Sequence, residues 1–308
     1  MLDEDLPEFD RAALRSAYVF ANGKGGVGKT TLTTNVGGLM AAAGHRVLLI
    51  DVNAQGNVGR DLGYRESEVD DQGQAFSDAL LKGAALTPVQ GIRPNLDVVI
   101  GGTEIGALPD QLAAKYHLQA RRQALALAVS LAPIAPAYDV VLIDSAPENR
   151  PLQQLALAAA RWMIAPTRSD RASINDGLGG ISHQFAVVRG AVNPDLALLG
   201  VVLFAVGSRS HQIQTRAREW IAAELGTDAA VFNTVVRHSE AVGVDARDRG
   251  LLAHELEIAA ADNPNYWEVR AGKATAGQAV STTSASVAED LATLTREIFT
   301  RAAELDAA

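Results

Sequence analysis

Two lysines share one glycine-rich run, Gly23-Lys24-Gly25-Gly26-Val27-Gly28-Lys29-Thr30, and Thr31 follows it. The spacing fits G-x-x-x-x-G-K-[ST], a pattern suited to polyphosphate binding. Glycines let backbone N–H groups converge on an anion with no Cβ atoms in the way. A helix starting near Lys29 would aim its free N–H groups and its dipole at the same anion. Lys29 is then placed to contact β- and γ-phosphates, and the Thr30 hydroxyl to ligate Mg²⁺. The second lysine, Lys24, is not needed to hold one nucleotide in one chain.

Such a loop works only between a strand and a helix. Ala17–Ala21 reads as the strand. After the loop, Thr30–Ala43 places Leu32, Val36, Leu39 and Met40 on one helical face, and Gly44 ends it. Further apolar runs at Arg46–Ile50, Leu96–Ile100, Val140–Ile143, Trp162–Ala165, Leu199–Ala205 and Val231–Val236 read as buried strands. Helical stretches lie between them at Gln111–Leu131, Leu152–Ala160, Ala172–Val188 and Ser210–Leu225. This alternation predicts one α/β domain, a three-layer sandwich with a mostly parallel, twisted sheet and helices on both faces. Residues 1–16 read as an acidic lead-in and 17–308 as the domain. Within it, 61–78 reads as an acidic surface loop or helix, 262–286 as a long Gly/Ser/Thr-rich loop bearing Tyr266 and Trp267, and 287–305 as a closing helix.

Composition narrows the class. The 308 residues are 48% apolar, which excludes wholesale disorder. They include no cysteine, which excludes a disulfide scaffold, a Cys-ligated iron–sulfur cluster and a thiol nucleophile. No apolar run reaches the ~18 residues of a membrane span. The first ten residues carry five acids and no base, unlike a secretory signal. The expected location is cytoplasmic.

The block Asn22 to Thr31, N-x-K-G-G-V-G-K-T-T, resembles the deviant Walker A loop of the ParA/MinD superfamily of P-loop NTPases. Asp51-Val52-Asn53-Ala54-Gln55-Gly56-Asn57 is similar to that family's D-x-D-P-Q-G-N switch segment. Asp139 to Pro147 resembles its Walker B strand, and His238-Ser239-Glu240-Ala241 with the later Arg249-Gly250-Leu251-Leu252 resembles the S-E-A segment of ParA proteins. The matches span roughly residues 17–256. The resemblance implies a ParA-type partition ATPase that binds ATP and Mg²⁺ through Gly23, Lys24, Gly25, Gly26, Val27, Gly28, Lys29, Thr30 and Thr31. It implies metal contacts from Thr30, Asp51 and Asp144, and catalytic roles for Lys24, Lys29, Asp51 and the residue at position 53. Lys24 becomes the signature lysine, which reaches across an ATP-dependent homodimer to the partner's phosphates. A ParB-like adaptor, non-specific DNA and a nucleoid-associated location are implied as well.

One position departs from the pattern. The family's second switch acid, which prepares the attacking water, is replaced by Asn53. An amide orients water through its carbonyl oxygen but cannot take a proton as a carboxylate does. Three outcomes stay open: slow hydrolysis supported by Asn53, transfer of the role to Asp51, or nucleotide-gated dimerisation with almost no turnover.

Charge gives a weaker signal. The chain is −9 overall, yet residues 150–218 hold eight Arg against three Asp. Arg209, Arg216, Arg218 and Arg237 are candidate contacts for non-specific DNA, which would make binding salt-sensitive. In the closing helix, Leu291, Leu294, Ile298 and Leu305 can share a face. Residues 289–306 carry five acids against two Arg, which disfavours a membrane surface and favours docking on the protein body.

Overall fold

Apolar runs without polar alternation form the centre of the molecule. The computed structural model describes residues 7–117, 119–207, 211–226, 230–261 and 283–307. Its strands are β1 (Ala17–Phe20), β2 (Val47–Val52), β3 (Val89–Arg93), β4 (Leu96–Val99), β5 (Val140–Ser145), β6 (Trp162–Thr167), β7 (Ala197–Val206) and β8 (Val231–Arg237). They make one sheet in the order β3-β4-β2-β5-β1-β6-β7-β8. All pairs are parallel except β3 with β4.

Successive strand residues feed opposite cores. Ala17, Val19, Leu48, Ile50, Val141 and Ile143 belong to one, and Tyr18, Phe20, Val47, Leu49, Val140 and Leu142 to the other. That two-sided burial explains why the strands read as continuous apolar runs.

In chain order the helices are α1 (Lys29–Ala42), α2 (Asn57–Asp61), α3 (Gln74–Lys82), α4 (Leu108–Tyr116), α5 (Ala120–Leu131) and α6 (Arg150–Ala158). After them come α7 (Gly179–Ala191), α8 (His211–Leu225), α9 (Glu240–Arg249), α10 (Ala253–Ala261) and α11 (Ser284–Ala307). Helices α3 to α8 cover the first core, through residues such as Leu80, Leu112, Leu125, Leu152, Ile181 and Ile221. Helices α1, α2, α9, α10 and α11 cover the second, through Leu32, Val58, Val242, Leu256 and Leu291. The three-layer α/β architecture expected from the alternation is the one observed.

Three details differ from the sequence reading. The stretch 111–131 is two helices, broken at His117, whose φ is +26°. Instead of a plain helix over 172–188, a turn of π-helix at Ser173–Leu178 leads into α7. The antiparallel edge strand β3 was not anticipated, because its half-exposed residues and Gly91 carry no alternation. The acidic 61–78 segment, expected as a loop or helix, includes the start of α3 at Gln74.

Both ends of the described chain are tied down. Arg11, in a 3-10 turn at Arg11–Leu14, donates to the carbonyls of Ala158 (3.2 Å) and Val192 (2.8 Å). On α11, Leu291, Leu294, Ile298 and Ala302 are buried against the body while Leu305 is exposed. Arg209, Tyr266, Trp267 and most of the 262–286 stretch lie outside the described residues.

Candidate nucleotide site

Strand β1 lies between β5 and β6, so the glycine-rich loop emerges between an acid-bearing strand and the loop after β6. Gly26 and Gly28 have φ of +71° and +91°, the left-handed region that suits glycine. Gly28 is the N-cap of α1 and supplies no side-chain cap, so the first N–H groups of the helix face the loop. The Phe204 ring, at the end of β7, packs so closely on Gly28 that an added Cβ would overlap it.

Asn22 anchors the loop. Fully buried, it donates through Nδ2 to the Pro166 carbonyl (2.7 Å) and accepts the Lys24 N–H on Oδ1 (2.8 Å). Lys29 curls back under the loop, and its Nζ donates to the carbonyls of Lys24 (2.9 Å) and Asn22 (3.3 Å). Burial pushes the Lys29 amine below the usual lysine value, while the carboxylates of Asp144 and Glu148 pull it back up. Lys24 stays at the rim, where its Nζ lies 3.4 Å from Ser173 Oγ and 4.0 Å from Asp170 Oδ1.

The two strand-end acids meet in register. Asp51 on β2 pairs with Asp144 on β5, and both are fully buried. Burial, and for Asp51 the neighbouring Asp144 charge, push both carboxyls above the usual range. Thr30 donates its hydroxyl to Asp144 Oδ2 (2.6 Å), and Val58 N–H reaches Asp51 Oδ2 (3.2 Å). Among the described residues, Oδ1 of each acid has no hydrogen-bond partner. Two orphaned buried carboxylate oxygens beside a threonine hydroxyl fit a hard divalent cation such as Mg²⁺, whose charge would return both acids to the ionised form. Asn53, also buried, spends its Oδ1 on the Gln55 N–H (3.0 Å).

A cavity of about 620 Å³ opens over this set, within the size range of small-molecule pockets. Gly25, Gly26, Gly28, Lys29, Thr30 and Thr31 line it, together with Asn53. Asp51 and Asp144 lie beneath, Asp144 linked through Thr30. Gly23, Lys24 and Val27 are outside its lining.

Sequence reasoning did not single out Phe204, Val236 or Arg168 as lining residues, because they come from three separate strand ends. The candidate DNA arginines are dispersed. Arg237 lines the cavity and makes a two-pronged pair with Asp290 on α11 (2.6 and 2.7 Å). Arg218 donates to the carbonyls of Phe232 (2.7 Å) and Asn233 (3.3 Å). Arg216 is exposed, roughly 200° around α8 from Arg218.

A family model described as an AAA domain matches residues 16–198. The chain is 33% identical over 211 residues to the chromosome-partitioning ATPase Soj of Thermus thermophilus, covering 68% of this chain and 77% of that one. It is 31% identical over 210 residues to the chromosome partitioning protein ParA of Myxococcus xanthus, covering 67% and 71%. The chain belongs to the ParA-type partition ATPases of the ParA/MinD superfamily. Solved structures share the fold. The Pyrococcus furiosus cell division ATPase MinD has a TM-score of 0.61 at 18% identity and covers 92% of this chain and 98% of its own. A Cyanothece McdA variant in complex with ATP has a TM-score of 0.64 at 21% identity, covering 78% and 90%.

Proposed function

We propose that this ParA-type protein is an ATP-gated dimer that holds DNA during partition of a plasmid or chromosome. The observation that carries the reading is the double-lysine cradle: Lys29 is sunk beneath the loop while Lys24 stands at its rim. Lys29 and the N-terminus of α1 bind the β- and γ-phosphates of ATP in one copy. Lys24 of each copy braces the phosphates of the other. Thr30, Asp51 and Asp144 would hold Mg²⁺, which would supply charge to offset that of the phosphates. The γ-phosphate is then the ligand that distinguishes closed from open, and its loss releases the pair. Phe204 and the ends of β7 and β8 line the part of the cavity where the nucleoside lies. Turnover is slow because Asn53 can orient water but not deprotonate it. A ParB-like partner stimulates it, and basic residues such as Arg216 hold DNA in a salt-sensitive way.

A second reading rests on Asn53 alone: a dimer or filament on DNA that needs ATP binding but not turnover. Turnover measured with DNA and the ParB-like partner present separates the two. A MinD-like membrane role is disfavoured, because the apolar face of α11 is spent on the protein body.

Light scattering with saturating Mg²⁺ and ATP tests the main reading. The full chain is expected to dimerise with ATP and to be monomeric with ADP. Lys24→Ala should bind ATP and stay monomeric. A chain that remains solitary with ATP, or a Lys24→Ala chain that dimerises normally, overturns it.

A further inference from the structure

The missing switch acid leaves a gap in the chemistry, and the loop between β5 and α6 holds a candidate to fill it. Glu148 lies four residues past Asp144 on that loop. Pro147, just before it, lines the cavity and stands 3.9 Å from the Cβ position of Gly25. Glu148 is exposed, and its side chain makes no hydrogen bond or ion pair among the described residues. Its backbone is left-handed, with φ +57°. That conformation costs a non-glycine residue about 1–2 kcal/mol, and such strain collects at functional sites.

The loop is pinned on both sides of the strained residue. Gln153 Nε2 donates to the Ala146 carbonyl (3.1 Å), and Asn149 Oδ1 caps α6 by accepting the Leu152 N–H (3.1 Å). The fold therefore enforces an unfavourable conformation on an exposed carboxylate that follows the cavity-lining Pro147 and is close enough to act on the Lys29 charge, although Glu148 itself is outside the cavity lining. The other acids are less suited. Asp51 and Asp144 are buried and face the cation position. Asp61 bonds the Thr34 hydroxyl, and Glu240 sits on α9 beside the nucleoside end.

We propose that Glu148 is the catalytic base of this chain, the carboxylate that takes the proton Asn53 cannot. The inference rests on the ATPase reading above. In the step, a water O–H bond breaks and its proton passes to the Glu148 carboxylate. The water oxygen forms a bond to the γ-phosphorus. The bond from that phosphorus to the β,γ-bridging oxygen breaks, and the electron pair leaves on ADP. Glu148 then returns the proton to inorganic phosphate or solvent. Asn53 orients the water, and Glu148 supplies the basicity.

The test uses the full chain with Mg²⁺ and ATP. It measures single-turnover hydrolysis and nucleotide affinity with a fluorescent ATP analogue. Glu148→Gln is expected to lower the hydrolysis rate about 100-fold, with affinity changed less than about twofold. Glu148→Asp should retain part of the rate. Asn53→Asp, placed in the Glu148→Gln chain, should restore turnover by returning the acid to the switch. A Glu148→Gln rate within twofold of the unaltered chain overturns the proposal, as does a loss confined to affinity. A failure of Asn53→Asp to restore the rate overturns it too. Should the unaltered chain bind the analogue yet never hydrolyse ATP, the turnover reading fails and the base goes with it. Absence of binding instead removes the nucleotide site itself.

Discussion

Lys29 is 6% exposed and hydrogen-bonded to two loop carbonyls, whereas the Lys24 side chain, in the same loop, is 40% exposed with one carboxylate at the edge of contact. The inner wall around Lys29 includes Thr30, Asp51, Asp144 and Asn53, where polar atoms are either paired or aimed at a cation position. The rim around Lys24 holds the half-exposed Asp170 beside the buried Ser173, and Glu148 is exposed on the loop after β5. A charge on the inner wall acts at low dielectric within one chain. One on the rim is screened by water and free to find a partner outside the chain. The difference predicts that inner-wall changes remove nucleotide binding or shift stability, while rim changes tune association.

The largest effect belongs to Lys29→Ala. Each charge-assisted hydrogen bond from the ammonium group to phosphate is worth about 1.5–3 kcal/mol, so two of them give a loss of 100-fold or more in ATP affinity. Titration with a fluorescent ATP analogue measures it, beside thermal unfolding to confirm that the chain still folds. A loss under tenfold would break the comparison at its strong end.

Next in size is a stability effect at the flank of the inner wall. Asp61, at the end of α2, is 9% exposed and bonds the Thr34 hydroxyl at 3.2 Å. Burial pushes its carboxyl from 3.8 up to about 6, although the Thr34 hydroxyl and Arg247 on α9 pull the other way. The folded chain thus holds this proton more tightly than the unfolded chain. This group's contribution favours folding below about pH 4, fades as pH rises through about 6, and stays lost above that. Asp61→Asn removes the penalty of the buried charge. Urea unfolding without nucleotide should show the variant more stable by roughly 2–3 kcal/mol at pH 7.5 and equal at pH 4. Equal stability at both pH values would mean that Asp61 is solvated like a rim group.

The comparison also explains what could be read from the sequence. The inner wall depends on backbone geometry and short contiguous blocks. Gly26, Gly28, Lys29 and Thr30 needed only their spacing, and the apolar runs before Asp51 and Asp144 set those acids at strand ends. The sheet was legible for the same reason, since two-sided burial leaves unbroken apolar runs. The rim was not. Glu148 matters through a left-handed φ that composition does not reveal, and Ser173 through a π-turn written in no periodicity. Phe204 and Val236 reach the cavity from strands far apart in the chain, so no local pattern joins them. β3 escaped because an edge strand buries too little to need an apolar run.

The smallest expected effect is at the rim. Asp170 Oδ1 accepts the Ser173 N–H (2.8 Å) and Oδ2 its hydroxyl (2.7 Å), and this pair stands beside Lys24 Nζ. Lys24 is therefore detained within its own chain, although the proposed closed pair needs it to point outward. Exposed ion pairs contribute about 0.2–1 kcal/mol, so the restraint on dimerisation is slight. Asp170→Asn keeps an acceptor for the Ser173 N–H but removes the charge that holds the lysine. In the presence of ATP this variant should dimerise up to about fivefold more tightly, measured by sedimentation velocity across a concentration series. In a Lys24→Ala background the same substitution should change nothing, because no ammonium remains to detain. Tighter association in both backgrounds would place the effect of Asp170 on the π-turn rather than on Lys24. Unchanged association in the lysine-bearing chain would show that the rim contact exerts no restraint.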